Sequence, residues 1–160
     1  MANVNQSKGH RRKPLREKKE FQEELLCIDR VTRVTAWGRQ LRFRASIVIG
    51  DGKGRVAFGT GKSGEVVTAI QKAISNAKKD LQNVDICEWA TVSHEIKTKF
   101  KSAVVFLHPA SEGTGLIAGG SIRKVLNVAG YKNVLAKRYG STNLINNARA
   151  TIKALTSMKK

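Results

Sequence analysis

Two glycine-rich stretches, each between a strand-like run and a helix-like run, constrain the fold of this chain more than any other feature. The first is Phe58–Gly64 and the second is Ser111–Ser121. Glycine lets a backbone approach a ligand closely, and a helix N-terminus offers unpaired N–H groups at the positive end of its dipole. Each junction is therefore predicted to be an anion-binding loop, for the phosphate of either a nucleotide or a polymer.

The charge of the chain favours a polymer. Its 160 residues include 30 Lys and Arg against 12 Asp and Glu, which gives a formal net charge of +18. A basic excess of this size, spread over the whole chain, is typical of proteins that bind a nucleic-acid backbone, although an anionic membrane could attract it too. Because no basic amphipathic helix stands out, nucleic acid is the preferred partner and no membrane contact is expected.

The spacing of cysteine and histidine predicts neither a disulfide framework nor a metal site. Cys27 and Cys87 are far apart and lack CxxC spacing, and the three histidines are scattered. The apolar runs are too short to span a bilayer, and no signal-peptide pattern follows Met1. We expect a cytoplasmic protein with free thiols, no cofactor, no metal and no small-molecule substrate.

The first half of the chain is predicted to be an antiparallel meander followed by one helix. Residues 1–20 precede it as a basic disordered tail, which either solubilises the chain or becomes ordered on nucleic acid. Alternating apolar residues predict the strands, and apolar residues at every third or fourth position predict the helix. The predicted elements are a strand at Leu25–Ile28, a polar loop at Arg33–Arg39, a strand at Leu41–Ile49, a hairpin turn at Asp51–Gly54, a strand at Arg55–Phe58 and a helix with the apolar positions Val66, Val67, Ile70, Ala73, Ile74, Ala77 and Leu81.

The second half is predicted to be an α/β unit, so that domains at 21–84 and 92–160 are joined by a linker at 85–91. A continuous apolar run, Ala103–Leu107, is typical of a strand that is covered on both faces. Gly130 is a helix stop signal, and Ser141 or Thr142 can cap the last helix. The predicted elements are strands at Val92–Lys99, Ala103–Leu107 and Asn133–Tyr139, a helix with Ile122, Val125, Leu126 and Ala129 on one face, and a last helix with the stripe Leu144, Ala148, Ile152 and Leu155.

The first glycine stretch matches two nucleotide-binding motifs imperfectly. Gly59-x-Gly61-x-x-Gly64 fits the dinucleotide fingerprint, but the strand before it is one arm of a tight hairpin, where a dinucleotide fold needs a buried parallel strand. A Walker A loop is excluded because its leading glycine would fall at Val56. A nucleotide-dependent enzyme built on the two stretches is therefore a distant alternative.

Catalytic residues are not apparent in the sequence. No serine lies in a GxSxG elbow, and no histidine is flanked by a partner for acid–base chemistry. Glu112 is the only acid in either glycine stretch, where a carboxylate would cap backbone N–H groups. We therefore expect no enzymatic activity. Trp37, in the first polar loop, could stack on a base or fill a partner's pocket, or it could pack back on its own domain.

Four segments of the chain together point to a known family. They are Gly50–Val56, Ala69–Ala73, Pro109–Gly120 and Asn133–Ser141. In this order they resemble the hallmark segments of the bacterial small-subunit ribosomal protein family numbered five. The resemblance runs from about Phe21 to Leu155 and implies a structural, RNA-binding component of the small ribosomal subunit. The meander and its helix also resemble part of a double-stranded-RNA-binding domain.

The resemblance implies an α+β fold and a position in the ribosome. An N-terminal domain like a double-stranded-RNA binder would precede a C-terminal α/β (βαβα) domain with a left-handed crossover, against the usual rule. The family lies where the head of the small subunit meets its body, near the place where messenger RNA enters. There it binds small-subunit ribosomal RNA, abuts neighbour proteins four and eight, and influences decoding accuracy. A free double-stranded-RNA-binding protein or RNA chaperone is the alternative.

Basic residues of both domains are predicted to contact RNA phosphates, which give affinity and register without reading sequence. By the resemblance, Gly113, Gly115 and Arg123 lie in the region that faces protein four. The predicted phosphate contacts are Arg33, Arg39, Lys53, Arg55, Lys62 and Lys72 in the first domain and Arg123, Lys124, Lys132, Lys137 and Arg138 in the second.

The segment Thr32–Arg39 matches the family loop that reaches toward the RNA of the head, near the spectinomycin site. The family usually has Lys-Gly-Gly where this chain has Ala36-Trp37-Gly38, so one cation and one glycine are lost and the detail of this contact is open. The residues assigned to this loop contact are Thr32, Thr35, Ala36, Trp37 and Gly38.

Overall fold

The computed structural model describes residues 20–158. Its first half is an antiparallel sheet with the strand order β1-β2-β3-β4, and one helix lies between β3 and β4 along the chain. The predicted meander and helix are thereby confirmed. The elements are β1 (Gln22–Thr35), β2 (Gly38–Gly50), β3 (Arg55–Ser63), α1 (Val66–Lys79) and β4 (Gln82–Asn83).

The predicted polar loop at Arg33–Arg39 is wrong, because β1 and β2 continue through it as one long hairpin. Only Ala36–Trp37 form the turn, and Thr35 pairs with Gly38 across it. Most positions from 31 to 35 carry β-branched residues, which favour extended backbone even where the side chains are polar. We call residues 30–42 the arm, and nearly all of its side chains are exposed.

The first glycine stretch is not a loop either, because Phe58–Ser63 belongs to β3. Gly59 and Gly61 lie beneath α1, where a Cβ atom would collide with the helix backbone. At Gly61 the added atom would lie 2.5 Å from the backbone N of Ala73. These glycines serve close packing between helix and sheet. Since β3 is antiparallel to β2, the dinucleotide interpretation of the stretch is excluded.

Small side chains on α1 make this close approach possible. The buried face of the helix is formed by Ala69, Ala73 and Ala77, which pack on the alanine and isoleucine side chains of β2. The predicted apolar stripe is right at Ala73 and Ala77 but wrong at Val67, which is exposed. A face of alanines lets the helix axis lie closer to the sheet than larger residues would allow.

The second half is a mixed sheet with the strand order β5-β6-β8-β7, which confirms the predicted α/β unit. β7 and β8 are parallel neighbours joined through α2, and this is the connection for which a left-handed path is expected. The other strand pairs are antiparallel. The elements are β5 (Ile96–Phe100), β6 (Ala103–Pro109), β7 (Leu116–Ile117), α2 (Gly120–Ala129), β8 (Val134–Gly140) and α3 (Leu144–Ser157).

The run Ala103–Leu107 forms β6 as predicted, but it is covered on only one face. Alternate residues of the run are fully buried, whereas Val104 and Phe106 on the other face are only half-buried. β6 pairs in antiparallel fashion with both of its neighbours, so no crossover helix has to cover the second face. The prediction that this strand is covered on both faces is therefore wrong.

The ends of the two C-terminal helices are set by different residues. Gly130 ends α2 as predicted, in the left-handed region with φ of +104°. The predicted cap of α3 at Ser141 or Thr142 is wrong, because the Oδ1 atom of Asn143 accepts the N–H of Ile145 at 3.0 Å. The Ser141 hydroxyl instead accepts the N–H of Asn143 at 3.2 Å.

The two halves of the chain meet at the C-terminal end of α2. The turn between β2 and β3 donates the N–H of Gly52 to the Val128 carbonyl and the N–H of Gly54 to the Ala129 carbonyl, both at 3.0 Å. These bonds satisfy helix carbonyls that have no partner within the helix. One buried core contains residues of both halves. The domain boundaries at 21–84, 85–91 and 92–160 stay predictions.

Some sequence expectations concern the chain as a whole. Of the tail predicted at residues 1–20, all but Glu20 lies outside the described residues. Within residues 20–158, no helix has the length and apolar content to cross a membrane. In the same range Cys27 and Cys87 are free thiols, and no group of three or more histidine, cysteine or acidic residues could hold a metal ion.

Candidate nucleic-acid interface

The arm presents four exposed arginines and no acidic residue. Successive side chains on a strand point to alternate faces, and residues paired across two strands share a face. The register therefore puts Arg33 and Arg42 on one face of the arm and Arg30 and Arg39 on the other. The two predicted contacts, Arg33 and Arg39, thus lie on opposite faces, each with an unpredicted arginine on the same face.

At the base of the arm the positive charge is neutralised. Asp29 and Arg44 pair across β1 and β2. The Nη2 and Nε atoms of Arg44 donate to Oδ2 of Asp29 at 2.7 Å and 3.2 Å. The uncompensated charge of this hairpin therefore begins beyond that pair and extends toward the tip.

Trp37 lies in the turn at the tip of the arm, and its side chain is 99% exposed. This exposure excludes the interpretation that the indole packs back on its own domain. The Thr35 hydroxyl donates to the Gly38 carbonyl at 3.0 Å across the turn. Gly38 has a φ of +133°, a conformation that favours glycine. The indole is thus presented by a short, closed turn.

The structure brings Lys62 and Lys72 together, and it adds Arg42 to them. A shallow polar depression beside the end of β3 is lined by these three side chains and by Ser63 and Gly64. Lys62 lies near the C-terminal end of β3, Lys72 lies on α1 and Arg42 lies on the arm. This cluster connects the positive charge of the arm with that of α1.

The other two predicted cations of the first domain, Lys53 and Arg55, lie at the opposite end of β3. Nε of Arg55 donates to Oδ2 of Asp51 at 2.7 Å, and the guanidinium lies 5.6 Å from the ring centroid of Phe21. Burial would raise the pKa of Asp51, but the hydrogen bonds from Arg55 and from the backbone N–H groups of Lys53 and Arg55 lower it to about 2. Arg55 therefore stabilises its own turn, while Lys53 is exposed.

Two predicted cations of the second domain bind the protein's own backbone. Nη2 of Arg123 donates to the Leu116 carbonyl at 2.9 Å, which ties the first turn of α2 to β7. Nζ of Lys124 donates to the Leu25 carbonyl at 2.5 Å, where the register of β1 and β2 shifts. Lys124 thereby joins α2 to the first half of the chain.

The remaining second-domain cations do not form one surface. Lys132, Lys137 and Arg138 are all exposed, but the last two are adjacent on β8 and so point to opposite faces of the sheet. Lys137 lies 5.9 Å from the ring centroid of Tyr139. The aliphatic part of Arg138 lies beside Gly119, at the start of α2.

The second glycine stretch is held in place by Asn133 rather than by the predicted capping residue, Glu112. Oδ1 of Asn133 accepts the N–H of Gly115 at 3.1 Å, and its Nδ2 donates to the Trp89 carbonyl at 2.7 Å. Gly113 and Gly115 have φ values of +86° and +77°. The buried Asn133 therefore anchors this loop to the segment between the two halves of the chain. The conformation of the loop requires glycine.

Sequence reasoning missed Arg30 and Arg42 as candidate contacts. Arg42 lies within the predicted strand Leu41–Ile49, and Arg30 precedes the segment predicted to be a polar loop. Both arginines lie on parts of β1 and β2 that become apparent only when the strands are extended through residues 30–42. The missing signal was therefore strand length, and not residue type.

Comparison with known proteins identifies the family. The model described as the N-terminal domain of ribosomal protein S5 matches residues 21–85, and that of the C-terminal domain of ribosomal protein S5 matches residues 98–160. A relative named small ribosomal subunit protein uS5, from Alteromonas mediterranea, is 52% identical over 139 residues, which cover 87% of this chain and 83% of the relative. A relative of the same name from Tolumonas auensis is 51% identical over 140 residues, covering 88% and 84%. The chain belongs to the ribosomal protein S5 family.

Proposed function

We propose that this chain is a structural, non-catalytic constituent of the small ribosomal subunit and that it binds small-subunit ribosomal RNA. The names of its relatives support the ribosomal role. The observation that carries the RNA-binding proposal is the arm, which has four exposed arginines, two on each face, and no acidic residue. Phosphate groups are the ligands that such an array of guanidinium groups binds best.

The primary RNA contacts lie on the first half of the chain. They comprise Arg33 and Arg39 on the arm and the cluster of Lys62 and Lys72, all of which are exposed and have no carboxylate partner in the described residues. Arg55, Arg123 and Lys124 hold internal contacts and contribute less to RNA affinity. Lys53, Lys132, Lys137 and Arg138 are secondary contacts.

A more specific part of the proposal concerns the position of the chain in the small subunit, its neighbouring proteins and decoding. We place the chain at the junction of head and body, near the entrance for messenger RNA, beside proteins four and eight. The region around Gly113, Gly115 and Arg123 faces protein four and influences decoding accuracy. The family resemblance supports this assignment; in the structure, the bond from Arg123 to the Leu116 carbonyl couples the start of α2 to β7. Arg123→Ala is expected to change stop-codon readthrough, and an unchanged readthrough level would remove this role.

Salt dependence tests the arm as a phosphate-binding surface. Binding of the full chain to small-subunit ribosomal RNA should weaken steeply with salt, by roughly 0.7 to 0.9 log units per phosphate contact for each tenfold change in salt. The double variant Arg33→Ala, Arg39→Ala should lower that slope by about 1.4 to 1.8. The control, Lys97→Ala with Lys99→Ala, removes the same charge from exposed positions on β5. Equal slopes for the two double variants would contradict the proposal.

Association with the ribosome separates this proposal from a free RNA-binding protein. A cell extract fractionated on a sucrose gradient should contain the chain in the small-subunit peak. A chain that stays at the top of the gradient would instead favour a free double-stranded-RNA binder or RNA chaperone. Calorimetric titration with NAD and ATP tests the enzyme alternative, and heat from micromolar binding of either nucleotide would support it.

A further inference from the structure

Trp37 is the large side chain with the least contact to the rest of the protein among the exposed apolar residues of the described range. A single exposed apolar residue needs no explanation by itself, since every protein surface has some. Trp37 differs because of where it lies. It occupies the tip of a hairpin that carries exposed arginines on both of its faces, in a turn closed by the bond from Thr35 to Gly38.

The distribution of charge around Trp37 indicates what kind of partner the tip meets. A flat protein surface would contact one face of the arm, whereas Arg33 and Arg42 lie on one face and Arg30 and Arg39 on the other. Cations on both faces suit an element that enters between two stretches of phosphate backbone. This distribution of charge fits nucleic acid on both sides of the arm, with the indole projecting at the tip between them.

The chemistry of the indole indicates which part of the RNA it contacts. In a paired A-form helix the bases are stacked and the major groove is too narrow for side chains to read. Unpaired bases in loops and bulges can turn outward and stack on aromatic side chains. Tryptophan offers the largest aromatic face for this purpose and has no charge to bind phosphate.

We propose that Trp37 stacks on an unpaired nucleobase of small-subunit ribosomal RNA while the arginines of the arm bind phosphates on either side of it. This inference rests on the proposed RNA-binding function. It assigns to the tip a base contact, which is distinct from the phosphate contacts of the rest of the arm. Removal of the indole should therefore weaken binding without changing the number of ions released.

Tryptophan fluorescence provides a direct test, because the chain has only two tryptophans. In a Trp89→Phe background the signal comes from Trp37 alone. Titration with small-subunit ribosomal RNA should quench it, since base stacking quenches indole emission. Trp37→Ala should lower the affinity roughly 5- to 150-fold, from the usual contribution of one stacked base, with the salt slope unchanged. Trp37→Phe should recover part of the loss.

Chemical probing identifies the base itself. The wild-type chain should protect at least one unpaired base from modification that stays reactive with Trp37→Ala, while the backbone footprint of the arm is the same for both. Because the side chain is 99% exposed, this variant should unfold at the wild-type urea concentration.

The outcomes separate the base contact from RNA binding in general. If Trp37→Ala binds as tightly as the wild type, or if Trp37 is not quenched in the complex, the stacking proposal is overturned and the tip contacts a protein or nothing. The arm would still be a phosphate-binding surface in that case. If the wild-type chain fails to bind the RNA at all, both the proposed function and this inference fall.

Discussion

Replacement of Gly61 by alanine should destabilise the protein because there is no space for a methyl group beneath α1. The added Cβ would lie 2.5 Å from the backbone N of Ala73 and 3.0 Å from the Cβ of Lys72. The first neighbour is a helix backbone atom and the second is bonded directly to that backbone, so neither can rotate away. To restore ordinary van der Waals separation, α1 would have to move away from the sheet by about 1 Å. A gap of this size removes about a quarter to a half of the dispersion energy of each contact between the helix and the sheet.

The expected cost follows from this displacement. Overpacking of this kind lowers the free energy of unfolding by about 1–3 kcal/mol, and alanine returns about 0.4–1 kcal/mol by restricting the unfolded chain. Because the added Cβ meets helix backbone atoms, the upper end of the first range applies, and we expect a net loss of about 2 kcal/mol. With a urea dependence of about 2 kcal/mol per molar, the unfolding midpoint should fall by about 1 M.

Gly64→Ala is the matched control for this experiment. Gly64 belongs to the same glycine stretch, but a Cβ there has no atom within 4 Å. Neither glycine has a left-handed φ, so the two variants differ in packing and not in backbone strain. Urea unfolding followed by circular dichroism should show an unchanged or slightly higher midpoint for Gly64→Ala. Equal midpoints for the two variants would refute the packing argument.

Three further changes test other contacts. Asn133→Ala should cost about 2–4 kcal/mol of stability, because it leaves the Gly115 N–H and the Trp89 carbonyl without their partner; urea unfolding measures the loss, and amide exchange at Gly115 that stayed at the wild-type rate would argue against it. Gly130→Ala should cost about 2–4 kcal/mol, since a φ of +104° and a nearby backbone carbonyl both oppose a Cβ; a wild-type thermal midpoint would contradict this. Since the pKa of Asp51 is about 2 in the folded protein, below its value of about 3.9 in an unfolded chain, its stabilising effect is present above pH 4 and is lost as the pH falls toward 2. Asp51→Asn should therefore show a flatter decline of stability from pH 4 to pH 2, and parallel curves for the two proteins would exclude the effect.

The features that sequence predicted correctly are those encoded locally. Alternation along Leu41–Ile49 predicted a strand, and Ala45, Ile47 and Ile49 of its apolar face are buried, although Leu41 is exposed and Val48 on the opposite face is also buried. Asp51–Gly54 predicted the hairpin turn because its residues suit few other conformations. Gly130 ends its helix through its own φ. In each case the information lies within a few residues, so no knowledge of the packing partner was needed.

The features that sequence missed depend on distant partners. Glycine is rare in strands, so Phe58–Gly64 reads as a loop until Ala69, Ala73 and Ala77 are known to lie against it. The need for glycine at 59 and 61 is a property of the helix–sheet pair and of neither segment alone. Sequence patterns of this kind become predictable only when both partners are considered together.

The arm was missed for a different physical reason. Its strands have solvent on both faces, so they lack the alternation of apolar and polar residues by which a half-buried strand is recognised. Four of the predicted RNA contacts, Arg33, Arg39, Lys62 and Lys72, could be named from charge alone. Which of them lie together could not, because this depends on strand register.

The docking of α2 on the turn between β2 and β3 bears on the order in which the protein folds. During synthesis the turn emerges before α2, and its Gly52 and Gly54 N–H groups are the donors for the last carbonyls of that helix. The first half of the chain can therefore act as a template on which the final turn of α2 forms. A C-terminal fragment made without the first half would lack these two donors, and the last turn of α2 would be frayed.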